Sequence, residues 1–252
     1  MTKQSNSKAV HSVKTNQDDI YKNLEAVVRK YAATTFLRPV ADHTRESFEQ
    51  ACDFVRSFYG SQATGRFNLV LDSGCGTGES TLHLARKFPE VPVIGIDKSA
   101  VRLSKAGNGR QLEVSAGGSC EVPANAFWVR AELLDFWRLA LEKVNAGEWN
   151  ILHHALYYPN PWPKESEATR RFHLHPIFPV LMRLSPVTEL RTNWEIYARE
   201  YKEAARIAGD CLSLNVCVEC AAFSPENPET AFERKYQTAG QELYRVVVKA
   251  IK

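Results

Sequence analysis

A glycine-rich loop is the segment of this sequence whose residue types and spacing point most clearly to chemistry. Residues 72–80 read Asp-Ser-Gly-Cys-Gly-Thr-Gly-Glu-Ser and follow an apolar run. The loop glycines are Gly74, Gly76 and Gly78. Glycine lets the backbone turn tightly and approach a ligand closely. Two acids, Asp72 and Glu79, flank these glycines, and carboxylates beside a helix start repel phosphate. The loop therefore predicts a site for a cationic ligand.

S-adenosylmethionine is the cationic nucleoside that suits this loop, because its α-amino group and sulfonium would face Asp72 and Glu79. Asp97 ends the next predicted strand, about twenty residues after the loop, where an acid can hold both hydroxyls of a ribose. Glu132 follows a further strand and is placed to accept from the adenine amino group, or else it begins a helix. A dinucleotide site and an empty structural turn are the alternatives.

The second informative segment follows the fourth predicted strand and would face the same crevice. Residues 156–164 read Leu-Tyr-Tyr-Pro-Asn-Pro-Trp-Pro-Lys, and prolines fix the backbone. The segment is therefore predicted to form a rigid shelf that carries a polar Asn160 and a flat Trp162. A flat ring beside a methyl donor suits stacking on a nucleobase. The alternative is a proline-rich turn with Trp162 in the core.

Four motifs follow one another in a fixed order along the second half of the chain. They are Pro-Asn-Pro-Trp-Pro-Lys at 159–164, Arg170-Arg171, Thr-Asn-Trp-Glu-Ile-Tyr at 192–197, and Thr-Ala-Phe-Glu at 230–233 with Gly240 after it. With these motifs the chain resembles the bacterial tRNA (guanine-N7)-methyltransferases. The resemblance covers residues 67 to 249. It implies a class I methyltransferase fold, S-adenosylmethionine as cofactor, and methylation of N7 of a guanine in tRNA.

The resemblance also implies roles for single residues. The positions that would contact the cofactor are Asp72, Asp97, Glu132 and Asn160. The positions that would contact the substrate are Lys164, Asn193, Thr230, Phe232 and Glu233. Asn160 is also the candidate catalytic position, and Trp162 joins the substrate set as the candidate stacking residue.

Two positions depart from the family pattern, because the family's Asp is Asn at 160 and at 193. A carboxamide offers one acceptor and one donor, which matches an adenine edge better than a guanine edge. Residues 165–169 carry two acids where the family is basic, and this should weaken phosphate contacts. The reaction tolerates these changes, since guanine N7 has an in-plane lone pair and needs no general base.

Three functions therefore stay open at the level of sequence. The leading one is methylation of guanine N7 in tRNA. The second is a divergent methyltransferase that acts on another RNA base, an adenine amino group or a small molecule. The third is a non-catalytic protein of the same fold that binds RNA or a partner subunit. Intact acids at Asp72, Glu79 and Asp97 favour a working cofactor site.

Alternating strands and helices are predicted to position these residues. The strand predictions are Phe67–Leu71, Val93–Ile96, Phe127–Val129, Trp149–Leu156, Val187–Arg191, Cys211–Cys220 and Leu243–Lys249. The helix predictions in this part are Glu79–Phe88, Ser99–Lys105, Leu133–Val144 and Trp194–Ala208. This alternation is typical of an α/β doubly wound, seven-stranded Rossmann-like sheet. No helix is predicted between the last two strands, so the last strand is expected to insert antiparallel.

Three segments are expected along the chain. Residues 1–17 contain Lys3, Lys8 and Lys14 without an acid, and predict a flexible basic tail. This tail is either an inert terminus or an arm that touches nucleic acid. Residues 18–64 predict an N-terminal extension with helices at 18–31 and 45–59. Residues 65–252 form the methyltransferase domain, in which 107–123 is a Gly/Ser-rich loop that suits an insertion or a lid.

The composition is that of an ordinary globular chain. Its 252 residues are 44% hydrophobic and 24% charged with a net charge of +3, so a nucleic acid would be held by a local patch. No run approaches the roughly 18 apolar residues of a membrane span, and residues 1–17 lack the apolar core of a signal peptide. The cysteines are expected to be reduced in the cytoplasm. Cys217 and Cys220 would lie on opposite faces of a strand, and no metal site is expected.

Overall fold

The computed structural model describes residues 13–60, 62–107, 112–114, 118–120 and 122–251. Its strands are β1 (Phe67–Ser73), β2 (Val93–Asp97), β3 (Leu112–Val114), β4 (Gly118–Cys120), β5 (Ala126–Arg130), β6 (Trp149–Tyr157), β7 (Val187–Thr192), β8 (Val216–Phe223) and β9 (Leu243–Ala250). Its α-helices are α1 (Leu24–Ala32), α2 (Asp42–Tyr59), α3 (Glu79–Lys87), α4 (Ala100–Gly107), α5 (Leu133–Asn145), α6 (Phe178–Leu184), α7 (Glu195–Cys211) and α8 (Ala231–Thr238). Short 3₁₀ turns cover Glu165–Arg170 and Phe172–Leu174.

The main sheet has seven strands in the order β5-β2-β1-β6-β7-β9-β8. The first five strands in this order (β5, β2, β1, β6 and β7) run parallel to one another. Strand β9 runs antiparallel to both of its neighbours, β7 and β8. The predicted sheet with an antiparallel last strand is therefore confirmed. The chain leaves β1 toward β2 and β5 and then returns to β6 on the other side of β1. This reversal opens a crevice at the carboxyl ends of β1 and β6, where doubly wound sheets bind ligands.

The first two helices pack on the rest of the chain. On α2, Phe48 is buried against the rings of Phe136 (5.0 Å) and Trp149 (5.2 Å). On α1, Leu24 and Val28 are buried in the same core. The predicted first helix at 18–31 starts later than expected, at Leu24, and the second starts earlier, at Asp42. None of the helices in the described part of the chain is long and apolar enough to cross a membrane.

Residues 13–17, the described part of the predicted flexible tail at 1–17, contact the folded chain. Residues 1–12 lie outside the described part of the chain. Thr15 donates to the carbonyl of Pro163 (2.7 Å), and Asn16 Oδ1 accepts from the backbone of Glu165 (3.1 Å). Gln17 is buried and donates to Glu200 Oε1 (2.6 Å). The prediction was wrong for residues 13–17, because Gln17 completes a buried polar cluster instead of remaining in water.

Two predictions about the second half of the sheet were also wrong. Helix α8 lies between β8 and β9, where no helix was expected. Its first turn is capped by Thr230, whose Oγ1 accepts from the backbone of Glu233 (3.0 Å). Helix α7 continues to Cys211, so β8 begins at Val216 and not at 211.

The segment 107–123 was expected to be a loop. In its described residues, β3 and β4 pair as an antiparallel hairpin, with Leu112 opposite Cys120. Residues 108–111, 115–117 and 121 lie outside the described part of the chain. The expected role as an insertion or lid stays a prediction.

Candidate cofactor and acceptor site

The glycine loop follows β1 at the crevice and has the backbone geometry that the sequence predicts. Gly74, Gly76 and Gly78 have φ of +81°, +60° and +81°, a region that favours glycine. A Cβ on Gly78 would collide with Trp128 Nε1 and with the Cβ of Ala106. A Cβ on Gly74 would meet nothing within 4 Å, so the backbone there is open to a ligand. Gly78 therefore serves close packing, while the loop before it can contact a cofactor.

Asp72 stands at the base of this loop and is almost completely buried. Its Oδ2 accepts from Ser80 Oγ and from Thr81 Oγ1, both at 2.7 Å. Burial raises the pKa of Asp72 to about 6, against the opposing effect of these two hydrogen bonds. The carboxylate is thus held rigidly between β1 and α3. At neutral pH it is charged, which suits a cationic ligand.

Glu79, the second acid beside the loop, faces a different partner from the one expected. Its carboxylate forms a two-point ion pair with the guanidinium of Arg234 on α8, with Oε2 at 2.7 Å from Nη2. The pair joins the start of α3 to α8. Glu79 therefore anchors α8 beside the loop, and its expected contact with the cationic groups of a cofactor stays a prediction.

Asp97 ends β2 and is buried beside the glycine loop. Its Oδ2 accepts from the backbone of Gly76 (3.1 Å). Its Oδ1 accepts from the backbone of Ser99 (2.8 Å) and pairs with Nη2 of Arg102 (3.0 Å). This placement agrees with a ribose-binding role, but Arg102, a half-exposed residue that the sequence did not single out, occupies one of the two oxygens.

Glu132 lies between β5 and α5, at the position preceding the helix. Its side chain makes no capping hydrogen bond, while its backbone N–H donates to Thr44 Oγ1 (3.1 Å). Glu132 therefore begins α5, as the alternative prediction had it, although its side chain does not cap the helix. The assignment of Glu132 to the adenine amino group stays a prediction.

The shelf after β6 carries Asn160 and Trp162 at the surface. Trp162 is half-buried, has a φ of +45°, and stacks with the guanidinium of Arg170 at 4.4 Å from its ring centre. Asn160 is exposed, and its Oδ1 accepts from the backbone of Trp162 (3.4 Å). Lys164 lies at the end of the shelf and is exposed. The ring of Trp162 is half-buried and not part of the core, the guanidinium of Arg170 covers one of its faces, and stacking of a base on the other stays a prediction.

A buried arginine that the sequence showed only as half of an Arg-Arg motif holds this shelf. Arg171 is fully buried and donates to the carbonyls of Pro161 (3.2 Å) and Trp162 (2.9 Å). Its Nη1 pairs with both oxygens of Glu200, at 2.7 and 2.8 Å. Burial acts to raise the pKa of Glu200, but hydrogen bonding by His173 and the charge of Arg171 outweigh it and lower this pKa to about 2. The backbone of Trp162 is thus fixed by a charged, buried cluster.

The predicted substrate residues of α8 divide into buried and exposed ones. Glu233 is fully buried, accepts from Arg191 Nη1 (2.8 Å) and from the backbone of Glu229 (2.6 Å), and therefore serves to hold α8 on β7. Phe232 is 48% exposed, and its ring lies 6.1 Å from that of Tyr158. Thr230 is the helix cap described above. Of the three, Phe232 is the one whose side chain faces outward beside the shelf.

Asn193, the remaining predicted substrate residue, follows β7. It is half-buried, and its Nδ2 donates to Oε1 of Gln241 at 3.0 Å. Gln241 precedes β9 and was not singled out in the sequence. The carboxyl ends of β1, β2, β6 and β7 thus bring together the loop acids, the shelf and Asn193, with α8 beside them. Their contacts with ligands stay predictions.

No group of three or more His, Cys, Asp or Glu side chains in the described residues is arranged to hold a metal ion. Cys217 and Cys220 lie on β8, the first exposed and the second half-buried. His154 is buried beside Ser73, with its Nε2 at 2.8 Å from Ser73 Oγ, and burial lowers its pKa to about 3. This histidine is therefore a neutral structural residue.

A family model described as "Putative methyltransferase" matches residues 67–246, which is more than half of the chain. The chain belongs to this methyltransferase family. The family match begins at the first residue of β1 and reaches into β9, so it covers the sheet and the crevice. Together with the strand order, it confirms the predicted class of enzyme, an S-adenosylmethionine-dependent methyltransferase of Rossmann-like fold.

Several curated relatives of this methyltransferase share one name. The tRNA (guanine-N(7)-)-methyltransferase of Stutzerimonas stutzeri strain A1501 is 27% identical over 202 residues, 77% of each chain. The enzyme of the same name from Treponema pallidum strain Nichols is 32% identical over 182 residues, 71% of this chain and 65% of the relative. Among solved structures, a 16S rRNA methyltransferase aligns with 86% of this chain and 97% of its own at 16% identity, with a TM-score of 0.49.

Proposed function

We propose that this methyltransferase transfers the methyl group of S-adenosylmethionine to N7 of a guanine in tRNA. The observation that carries the proposal is the position of the shelf. Asp72 on β1 pairs with Ala155 on β6, and β6 then runs directly into the shelf with Asn160 and Trp162. A base stacked on Trp162 would therefore lie beside the acid-flanked glycine loop. Relatives named for guanine-N7 methylation of tRNA support the same reaction.

The residues on the cofactor side fit S-adenosylmethionine. The open backbone at Gly74 can approach the methionine part, while Asp72 supplies a buried negative charge for its amino group. Asp97 would hold the ribose, and Glu132 would accept from the adenine amino group. When bound, the cofactor supplies an electrophilic methyl group on a sulfonium.

The residues on the acceptor side need only position the base. Guanine N7 attacks with its own lone pair and loses no proton, so no general base is required and orientation supplies the acceleration. Trp162 stacks on the base, and Asn160 lies next to the transferred group. Asn193 contacts the base edge, and Lys164 contacts a backbone phosphate. A site without a catalytic aspartate can carry out this reaction.

A second candidate function, methylation of another base edge, is favoured by Asn160 and Asn193 in place of the family's aspartates. The acids after the shelf do not add to this argument, because each is paired. Glu165 lies 3.6 Å from Lys22, and Glu167 lies 3.2 Å from Arg170. Glu165 and Glu167 partly neutralise Lys22 and Arg170, which could otherwise bind a phosphate of the tRNA backbone. A cytoplasmic location, where tRNA is found, goes with the proposed function.

The test is methyl transfer from labelled S-adenosylmethionine to bulk unmodified tRNA, with identification of the labelled nucleoside. N7-methylguanosine is the expected product, and Asp97→Ala should abolish the label while the variant stays folded. Labelled N6-methyladenosine would favour the second candidate. Tight cofactor binding with no labelled tRNA, rRNA or small molecule would favour a binding protein of the same fold.

A further inference from the structure

The carboxamide of Asn193 is hydrogen-bonded to that of a neighbouring glutamine, so the orientations of the two groups are coupled. Asn193 Nδ2 donates to Gln241 Oε1 at 3.0 Å. Gln241 is itself fixed by its backbone, whose N–H donates to the carbonyl of Tyr236 at 3.0 Å, and it follows Gly240, whose φ is +66°. The chain just before β9 therefore places Gln241 next to the end of β7.

This contact decides which atom of Asn193 remains for a substrate. A free carboxamide can turn over and present either its oxygen or its NH₂ group. In the pair as it stands, Nδ2 donates to Gln241, so Asn193 presents Oδ1 as an acceptor, and reversing this requires both carboxamides to turn over together. The Watson–Crick edge of guanine carries donors at N1 and N2, whereas adenine has an acceptor at N1. An acceptor that faces ring position 1 therefore favours guanine, whose N1–H is a donor, over adenine, whose only donor on this edge is the 6-amino group.

We propose that Gln241 is a specificity-determining residue that makes Asn193 act as an acceptor for the guanine edge. This inference rests on the proposed function, because it assumes a guanine at the shelf. It explains how the chain can read guanine although the family's aspartate is absent at 193. An aspartate at 193 would need no such partner, because both of its oxygens are acceptors. The asparagine has one acceptor, and Gln241 orients it.

The inference makes the effect of Gln241 depend on residue 193. In the natural background, Gln241→Leu frees the Asn193 carboxamide to turn over, and kcat/KM on tRNA should fall about tenfold, the effect of one hydrogen bond. In an Asn193→Asp background, both oxygens accept, and the same Gln241→Leu change should leave kcat/KM within about twofold. Gln241→Glu keeps an acceptor for Nδ2, so it should retain activity beside Asn193 but lose it beside Asp at 193, where two carboxylates repel.

The experiment measures kcat/KM for these variants on unmodified tRNA, with the product nucleoside identified. The matched control is Gln237→Leu, because Gln237 lies nearby on α8 but bonds Ser224 and Pro225 and does not touch Asn193. It should change nothing. Binding of S-adenosylhomocysteine should stay the same in all variants, and the melting temperature should fall only in the double variant that places carboxylates at both 193 and 241.

Two results would overturn the inference. The first refutes the role of Gln241 alone, and the second refutes the proposed function as well. If wild type makes N7-methylguanosine and Gln241→Leu costs the same factor in both backgrounds, Gln241 has only a structural role. If wild type makes another product, the proposed function fails and the inference fails with it. Loss confined to the Asn193 background, with N7-methylguanosine as product, supports both.

Discussion

Replacing Arg102 with glutamine is expected to tighten binding of the cofactor product S-adenosylhomocysteine. A ribose diol needs both oxygens of Asp97 as acceptors. Oδ2 accepts one backbone N–H, but Oδ1 already accepts from Ser99 and pairs with Arg102. The diol can therefore bind in full only after the arginine has moved. In wild type, part of the binding free energy is spent on breaking this ion pair. In Arg102→Gln the pair is absent, so the ligand should bind more tightly.

The size of the effect follows from exposure. Asp97 is 2% exposed, whereas the side chain of Arg102 is 48% exposed. A pair with one partner in water contributes about 0.2–1 kcal/mol, because solvent screens it. Dissociation constants should therefore fall by about 1.4- to 5-fold in Arg102→Gln. High salt screens the pair and should bring wild type closer to the variant.

Calorimetric titration with S-adenosylhomocysteine measures this change. Lys105→Gln is the matched control, since it removes one positive charge from the same helix, α4, without an ion pair to Asp97. The control should stay within about 1.4-fold of wild type. An unchanged affinity in Arg102→Gln would refute the competition between the arginine and the ribose. A weaker affinity would show that Arg102 contacts the ligand itself.

Two further predictions concern the shelf and the glycine loop. Trp162→Ala should weaken tRNA binding by about 1–3 kcal/mol in filter binding, because a base would lose its stacking partner. The melting temperature should change little, because the ring is half-buried and outside the core. A large fall in melting temperature with normal tRNA affinity would contradict this. Affinity for S-adenosylmethionine should rise between about pH 5 and 7 in wild type and not in Asp72→Asn, since burial raises the pKa of Asp72 to about 6 and the cationic cofactor needs the charged form. The effect of Asp72 on folding has the opposite sign. Its pKa is about 6 in the folded state and 3.8 in the unfolded state, so between these values the folded state binds the proton more tightly, and the free energy of unfolding declines as the pH rises from about 4 to about 6. Denaturant titration at several pH values can measure this decline.

The sheet and the glycine loop could be predicted because their signals are local. Apolar runs bounded by turns mark the strands, and the three loop glycines precede a helix directly. Asp72 and Asp97 each lie at the end of a strand, so parallel pairing of β1 and β2 places both at one edge. These residues could be assigned from chain order alone.

Helix α8 was missed although its signal was present. Thr230 and Glu233 are spaced as in a capping box, in which a hydroxyl caps the third residue of a helix. The same spacing matches the substrate motif of the family that the chain resembles, so the helix signal and the motif coincide in these residues. The structure gives Thr230 the capping role and buries Glu233 under Arg191.

Other contacts could not be predicted, because their partners are far apart in sequence. Arg171 meets Glu200 and Gln17, which lie 29 and 154 residues away, and Glu79 meets Arg234 across 155 residues. Nothing in the local pattern distinguishes these charged residues from solvated ones. Their pairing depends on how α3, α7 and α8 are brought together by the finished sheet.

The position of β9 has a consequence for how the chain reaches its folded state. This strand is made from residues 243–250, yet it lies between β7 and β8 and pairs with both. Until it inserts, β7 has an open edge and β8 has no neighbour in the sheet. Open edges are where partly folded chains associate with one another. Substitutions in β9 should therefore lower the yield of folded protein during synthesis before they affect the activity of molecules that have folded.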